Sequence, residues 1–230
     1  MQDSLESESE FIIKEAFSRF KNPVILWAGG KDSTAMLAIA RKAFSLLGKL
    51  PMKVMQLDTT FKFPETYRYI DKYAKEWKLD FIRYRNKDAV RRGVSPQTVG
   101  KFDCCNQLKT QALAKAIKEY NFDVVLVGIR WDEHGVRGKE SFFSYREDPD
   151  HTRVHPMLNW SEKQIWQYIK KNKIPYNHLY DKVVKSKLFY RSIGCKPCTQ
   201  PIPREEIEER AGRSLDKEQI MEDLRALGYM

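Results

Sequence analysis

Apolar residues fall along this chain in two kinds of run. Four runs are short and nearly continuous: Pro23-Val24-Ile25-Leu26-Trp27, Lys53-Val54-Met55-Gln56-Leu57, Phe81-Ile82-Arg83-Tyr84 and Val124-Val125-Leu126-Val127. Their length and β-branched content predict buried strands. The others are longer and recur every three or four positions. Within Thr34 to Leu47, residues Met36, Leu37, Ile39, Ala40, Ala43, Phe44 and Leu47 share one helical face. Pro64, suited to a first helical turn, opens a second amphipathic stretch to about Trp77, and a third spans Leu108 to Tyr120. Strand and helix alternate, and strands separated by a helix run parallel in one sheet. The fold class predicted is α/β, a doubly wound parallel sheet with helices on both faces.

The pattern loosens after the fourth strand. Gly128 to Pro156 is rich in charge and glycine, shows no clear period, and is predicted as an active-site loop region rather than core. Asn159-Trp160-Ser161-Glu162 starts another helix, with Ser161 or Asn159 as N-cap and Ile165, Trp166, Tyr168 and Ile169 along it. Ser214 to Leu227 reads as a last amphipathic helix. The expected organisation is an N-terminal helix or tail over 1–20, an α/β domain over 21–160, and a helical, cysteine-bearing C-terminal extension over 161–230.

Hydrophobic residues make up 42% of the 230, which suits one domain with a real core and excludes a disordered chain. The charge is 41 Lys and Arg against 31 Asp and Glu, a formal +10. It is unevenly placed: residues 1–10 carry four acids and no base, and 204–230 carry eight acids and five bases, which leaves 11–203 at +17. Such a body suits polyanions, or is simply a set of solvated lysine faces. No apolar run nears the roughly 20 residues that span a bilayer. The first residues have neither a basic nor an apolar signal region, so a cytoplasmic protein without membrane contact is expected.

Chemistry concentrates where the first strand meets the first helix, at Ala28-Gly29-Gly30-Lys31-Asp32-Ser33. In open α/β sheets ligands bind beyond the carboxyl ends of strands, where helix N-termini offer free N–H donors. Two glycines allow close backbone approach, Lys31 brings a cation and Ser33 a hydroxyl. Asp32 beside a phosphate is repulsive unless a divalent ion or a helix end offsets it, so it reads as a metal–phosphate residue or an N-terminal cap. The spacing is neither that of a P-loop nor that of a dinucleotide fold.

This turn resembles the pyrophosphate-binding PP-loop, Ser-Gly-Gly-x-Asp-Ser, of the ATP pyrophosphatase (adenine nucleotide alpha-hydrolase-like) superfamily, with Ala28 in place of the usual Ser. Further stretches resemble two of its branches, the small subunit of sulfate adenylyltransferase and the sulfonucleotide (APS/PAPS) reductases. They are Leu57-Asp58-Thr59-Thr60-Phe61-Lys62-Phe63-Pro64, Gly128-Ile129-Arg130-Trp131-Asp132-Glu133 with Arg137 and Lys139 after it, and Arg153-Val154-His155-Pro156-Met157-Leu158-Asn159-Trp160. The resemblance covers roughly residues 22–213. It implies that Ala28, Gly29, Gly30, Lys31, Asp32 and Ser33, with Gly128, bind the nucleotide, and that Mg²⁺ accompanies ATP. Lys31, Asp32, Arg130 and Arg137 are the candidate catalytic residues. Arg130, Arg137 and Lys139 are candidates for an acceptor oxyanion or for the charge developing on the α-phosphate, arginine being suited to bidentate contact. Asp58 either contacts the nucleoside or caps the next turn, and His134 and His155 are either acid–base groups or ordinary loop histidines.

The chain has four cysteines, Cys104-Cys105 and the pair of Cys195-Lys196-Pro197-Cys198. This arrangement is similar to the pattern that holds a [4Fe–4S] cluster in APS reductases. Soft sulfur ligands suit such a cluster or zinc, and adjacent cysteines are unusual for zinc. Incidental buried or disulfide-bonded cysteines are the remaining alternative. Lys109 stands where those reductases place a lysine beside the cluster, in reach of a sulfonucleotide, or is an ordinary exposed helix lysine. Those reductases also use a C-terminal cysteine nucleophile, and no fifth cysteine exists here, whereas Lys31-Asp32-Ser33 is intact. The resemblance thus favours an ATP-dependent adenylyltransferase of sulfur assimilation with a GTPase large subunit as partner. An APS/PAPS reductase variant supplied by an outside thiol donor is the alternative, and a tRNA thiolation-type protein a minor one. Self-association is a further alternative, and nucleic acid is not the expected partner.

Overall fold

In the computed structural model the four predicted strands are present and two more join them. Residues 2–133, 137–184, 187–206, 208–213 and 223–224 are described. Strands β1 (Pro23–Leu26), β2 (Lys53–Leu57), β3 (Phe81–Tyr84) and β4 (Val124–Val127) match their predicted spans to within a residue. The stretch expected to be loop contains β5 (Phe143–Arg146) and β6 (His151–Val154), and β6 pairs with β4 inside the sheet. That expectation is corrected for a physical reason: β6 buries His151 and Arg153 instead of an apolar alternation, so its period is invisible to a hydrophobic reading. The sheet order is β3-β2-β1-β4-β6-β5, parallel throughout except for β5, which is antiparallel to β6.

Helices cover both faces. α1 (Gln2–Arg19), α2 (Lys31–Ala43), α3 (Pro64–Glu76) and α7 (Glu162–Lys171) pack on the face that presents Ile25, Val54, Leu126 and Val154. α6 (Gln111–Tyr120) covers Val24, Met55 and Val125 with Leu113, Ala116 and Ile117. Side chains such as Ile13, Ile25 and Leu126 are fully buried, each contributing about 1.5–3 kcal/mol. Ile12, Ile13 and Ala16 of α1 and Ile165 and Ile169 of α7 belong to the same core as the strands. The capping box expected at Ser161 is present: its hydroxyl accepts from the Gln164 N–H, and the Gln164 side chain returns to the Ser161 N–H.

Two helices differ from their predicted form. α2 begins at Lys31 and stops at Ala43, a single 3-10 turn (Ser45–Leu47) following it. The segment expected as one helix from Leu108 is preceded by α4 (Lys87–Arg91) and by α5 (Gly100–Cys105), and a π turn over Asn106–Thr110 joins α5 to α6. Beyond α7 the described residues form 3-10 turns, an antiparallel pair of β7 (Leu188–Phe189) and β8 (Ile202–Pro203), and helical residues at 223–224. Most of the predicted helix from Ser214 to Leu227 lies outside the described residues. Among the described residues no helix is long and apolar enough to cross a membrane.

The strand order places the site. From β1 the chain winds outward to β2 and β3, and returns on the other side through β4, so the order reverses between β1 and β4 and a crevice opens above their carboxyl ends. The indole N–H of Trp27 donates to the Thr34 hydroxyl at 3.0 Å, and that oxygen lies 3.2 Å from the Tyr69 hydroxyl, which fixes the exit of β1 to α2 and α3.

Candidate active-site cleft

The turn from β1 into α2 is a glycine turn by necessity. Gly29 has φ of +78°, and a Cβ there would lie 3.0 Å from Ile70 Cδ1. Gly30 is the N-cap of α2, no side chain caps that helix, and the Lys31 N–H donates to the Tyr180 hydroxyl at 3.0 Å. Gly128, at the exit of β4, is needed on the opposite wall, since a Cβ there would meet Ser33 Cα at 3.0 Å and the Asp32 carbonyl oxygen at 3.1 Å. Gly128 thus lets the β4 exit close onto the first turn of α2, and Gly29 lets the same turn lie against α3.

Lys31 and Arg130 are almost wholly buried at this turn, and three carboxylates surround them. Lys31 Nζ pairs with Asp32 at 3.1 Å and with Glu209. Arg130 pairs with Asp32, with Glu209 and, through Nε at 2.9 Å, with Asp132. The Glu209 carboxylate therefore bridges both cations. Burial works against its charge, but Lys31 and Arg130 outweigh burial and hold its pKa below the usual carboxylate range. Glu133 accepts from the Arg130 N–H at 3.1 Å and pairs with Arg137. Burial pushes it up, yet Arg137, Arg130 and Arg210 bring it down to about 2. Oxygen atoms of Asp32, Glu133 and Glu209 lie within 4.8 Å of one another, close enough to share one cation.

The cleft extends from this cluster over an apolar floor of Leu26, Met55, Leu57 and Val127, walled by Leu113 of α6. Ala28, Gly30, Lys31, Asp32, Ser33, Gly128 and Arg137 line it, as the sequence anticipated. Lys139 is exposed and does not line it, and His134 lies outside the described residues. Of the two roles open to Asp58, the structure supplies the turn cap. Its carboxylate accepts from the Thr60 N–H (2.9 Å), Tyr67 (2.6 Å) and Arg85 (2.6 Å), and it does not line the cleft. His155 is buried away from the cleft with Nδ1 2.8 Å from the Ser141 carbonyl, and burial lowers it to about 4. Lys62, Thr110, Arg153, Tyr180, Arg210 and Arg213 also line the cleft and were not singled out as site residues from sequence. Arg153 was findable had β6 been read as a strand, whereas Glu209, Arg210 and Arg213 come from an irregular segment with no local signal.

All four cysteines are buried and face one small recess, with Thr59, Phe61, Leu108 and Lys109. The Cys195 segment is tied to the loop after β2: the Lys196 N–H donates to the Phe61 carbonyl at 2.7 Å, and Cys195 Sγ lies 3.2 Å from the Thr59 hydroxyl. Burial, with the other three thiols adding to it, pushes Cys104 up to about 12. Four buried cysteines from two segments line this recess, which gives it the soft donor chemistry of an all-thiolate ligand set, and metal would have to displace the Cys104 proton. Lys109 lines both this recess and the cleft, so the two are neighbours. Gly194, just before Cys195, leaves room for the Arg213 guanidinium, whose Nη2 would lie 2.2 Å from a Cβ there.

A cleft at the switch point of a parallel sheet, opened by a glycine turn and rich in cations, defines a phosphate- or nucleotide-binding protein of the doubly wound class. Residues 22–201 match the model of the phosphoadenosine phosphosulfate reductase domain, and the chain belongs to that family. It is 34% identical to the sulfate adenylyltransferase subunit 2 of Pseudomonas savastanoi pv. phaseolicola (strain 1448A / Race 6), over 98% of this chain and 96% of that protein. The subunit of the same name from Pseudomonas entomophila (strain L48) gives the same identity and coverage. Among solved structures, the phosphoadenylyl-sulfate reductase of Candida auris, in a phosphate complex, has a TM-score of 0.69 at 23% identity, over 86% of this chain and 96% of that one. The FMN adenylyltransferase of Candida glabrata with ATP has a TM-score of 0.65 at 14% identity, over 97% and 80%. Both share the mostly parallel α/β fold seen here.

Proposed function

We propose that this chain is a PP-loop nucleotidyltransferase of sulfur assimilation, which transfers the adenylyl group of ATP to a sulfate-like oxyanion. The observation that carries the reading is the cradle itself: Lys31 and Arg130, buried at the first turn of α2, are bridged by the Glu209 carboxylate as a phosphate would bridge them. Pyrophosphate of ATP takes that place, at the N-terminus of α2, whose N-cap Gly30 supplies no side-chain cap. The apolar floor of Leu26, Met55, Leu57 and Val127 takes the base.

In the reaction an oxygen of the acceptor attacks the α-phosphorus, the bond to the bridging α–β oxygen breaks, and pyrophosphate leaves with the electron pair. The protein positions the groups and neutralises charge, without a covalent intermediate. Lys31 and Arg130 stabilise the leaving pyrophosphate, and Arg137 stands on the same wall. Asp32, Glu133 and Glu209 would hold the Mg²⁺ of Mg-ATP, which supplies charge neutralisation between phosphates.

The reductase alternative is supported by the family match and the cysteine recess, yet among the described residues no cysteine lines the cleft, and all four face the recess. That leaves no thiolate placed to attack a substrate sulfur. The recess supports a [4Fe–4S] cluster held by Cys104, Cys105, Cys195 and Cys198, with a zinc ion as the competing occupant. The relatives' designation as subunit 2 supports a partner large subunit. Pyrophosphate release from ATP that depends on sulfate and is lost in Lys31→Ala is expected from chain and partner together. Sulfite release from adenylyl sulfate by the isolated chain would overturn the assignment.

A further inference from the structure

Tyr180 ends the 3-10 turn His178–Tyr180 that follows α7, and it lines the cleft beside Gly30 and Lys31. Its place is fixed from two sides. Asn177 caps the turn, its side-chain oxygen accepting from the Leu179 N–H at 3.1 Å, while its Nδ2 donates to the Thr66 hydroxyl at 3.0 Å. Thr66 belongs to α3 and, with Ile70, borders Gly29. On the other side the Trp166 ring of α7 meets the Tyr180 ring edge-on, with centroids 5.0 Å apart. Tyr180 is 9% exposed, so packing and the Asn177 cap, rather than solvent, hold its hydroxyl against the glycine turn.

The hydrogen bonding of this phenol is half complete. A phenolic oxygen accepts, and it also donates one proton. Its acceptor side takes the Lys31 N–H at 3.0 Å, in place of the side-chain cap that Gly30 does not supply to α2. Among the described residues no acceptor takes the phenol's own proton. Burial pushes its pKa up and outweighs the opposing pull of Lys31, so the group stays protonated and able to donate. Lys31, Glu209 and Glu133 all act on it, which places it within the charged cradle. There Glu209 gives one carboxylate oxygen to Lys31 and the other to Arg130. A pyrophosphate in its place has terminal oxygens beyond those two, and a buried donor left without a partner is costly.

We propose that Tyr180 is a further phosphate-binding residue of the cleft, its hydroxyl accepting from the Lys31 N–H and donating its proton to a pyrophosphate oxygen. The proposal deepens the adenylyltransferase reading and rests on it for the identity of the anion. A hydroxyl that already accepts is a stronger donor, because hydrogen bonds in a chain polarise one another. The positive end of α2 therefore reaches the anion through the phenol, and Lys31 serves it twice, by its side chain and, through Tyr180, by its backbone.

The test is calorimetric titration of inorganic pyrophosphate, and separately of AMP, into the full chain in the presence of EDTA. Tyr180→Phe keeps the ring and is expected to weaken pyrophosphate about 10- to 100-fold, the loss of one hydrogen bond to a charged group, with AMP affinity within about twofold. Fluorotyrosine placed at position 180 supplies a more acidic phenol, a better donor and a poorer acceptor, and is expected to tighten pyrophosphate. A phenol that only caps α2 predicts the opposite sign, and a purely structural role weakens AMP in parallel. Pyrophosphate unchanged in Tyr180→Phe, AMP weakened alongside it, or pyrophosphate loosened by the fluorinated phenol overturns the role of Tyr180. With Lys31→Ala still defective in the same titration, any of those results leaves the adenylyltransferase reading standing. Pyrophosphate binding that depends on Tyr180, without sulfate-dependent pyrophosphate release from ATP, overturns the proposed reaction and leaves the Tyr180 contact standing.

Discussion

Glu209 offers a quantitative test of the phosphate cradle. Its carboxylate, 7% exposed, accepts from both Lys31 and Arg130, and an arriving pyrophosphate must take those two donors from it. Hydrogen bonds between charged groups are each worth about 1.5–3 kcal/mol net and neutral ones about 0.5–1.5. The two donors use different oxygens of the carboxylate, and Glu209→Gln turns one of them into an NH2 that cannot accept, so it removes one charge-assisted hydrogen bond outright, about 2–3 kcal/mol of competition. Pyrophosphate should bind the variant about 30- to 100-fold more tightly, at about 1.4 kcal/mol per tenfold. The assay is calorimetric titration of pyrophosphate in the presence of EDTA, because metal-free conditions isolate the competition from any role of Glu209 as a cation ligand. Lys31→Ala in the same titration should lose binding. Unchanged or weaker binding in Glu209→Gln, with Lys31→Ala still defective, would refute the claim that this carboxylate occupies the phosphate position.

Three further outcomes are expected. Gly128→Ala drives a methyl group against the Ser33 and Asp32 backbone, so chemical denaturation should show a loss of about 1–3 kcal/mol and ATP affinity should fall with it. His151 and His155 sit near 4 in the folded chain against 6.5 when unfolded, so between those values the unfolded state binds more protons and stability falls as pH drops. At pH 5 the loss relative to pH 7 should be about 2 kcal/mol for each histidine, read by urea melts, and a flat profile would contradict their burial as neutral rings. Anaerobically purified protein should show the broad visible absorbance of an iron–sulfur cluster, lost in Cys104→Ser. A colourless protein carrying stoichiometric zinc would instead assign the recess to zinc.

Much of this protein was written locally in its sequence. β1 to β4 could be read because each is a short apolar run bounded by turn residues, and the glycine turn because no other residue type fits its backbone. Ser161 announced its helix through a capping box that needs only four consecutive residues. Cys104, Cys105, Cys195 and Cys198 announced a shared site by residue type, though nothing local could show that the loop after β2 is what seats the second pair beside the first.

The tertiary structure decided what depends on charges meeting across distance. β6 was hidden because it buries His151 and Arg153, polar residues tolerable there only through partners such as Pro149 that the fold supplies. Asp58 read equally well as nucleoside ligand or turn cap, until Tyr67 and Arg85 turned out to occupy its carboxylate. Glu209 gave no signal at all, for its position on Lys31 and Arg130 is set by how the irregular C-terminal segment returns over the cleft. Backbone geometry and hydrophobic period act between neighbours in the chain and so are legible along it. Electrostatic pairing in a buried cleft acts through space, and only the folded molecule states which charge faces which.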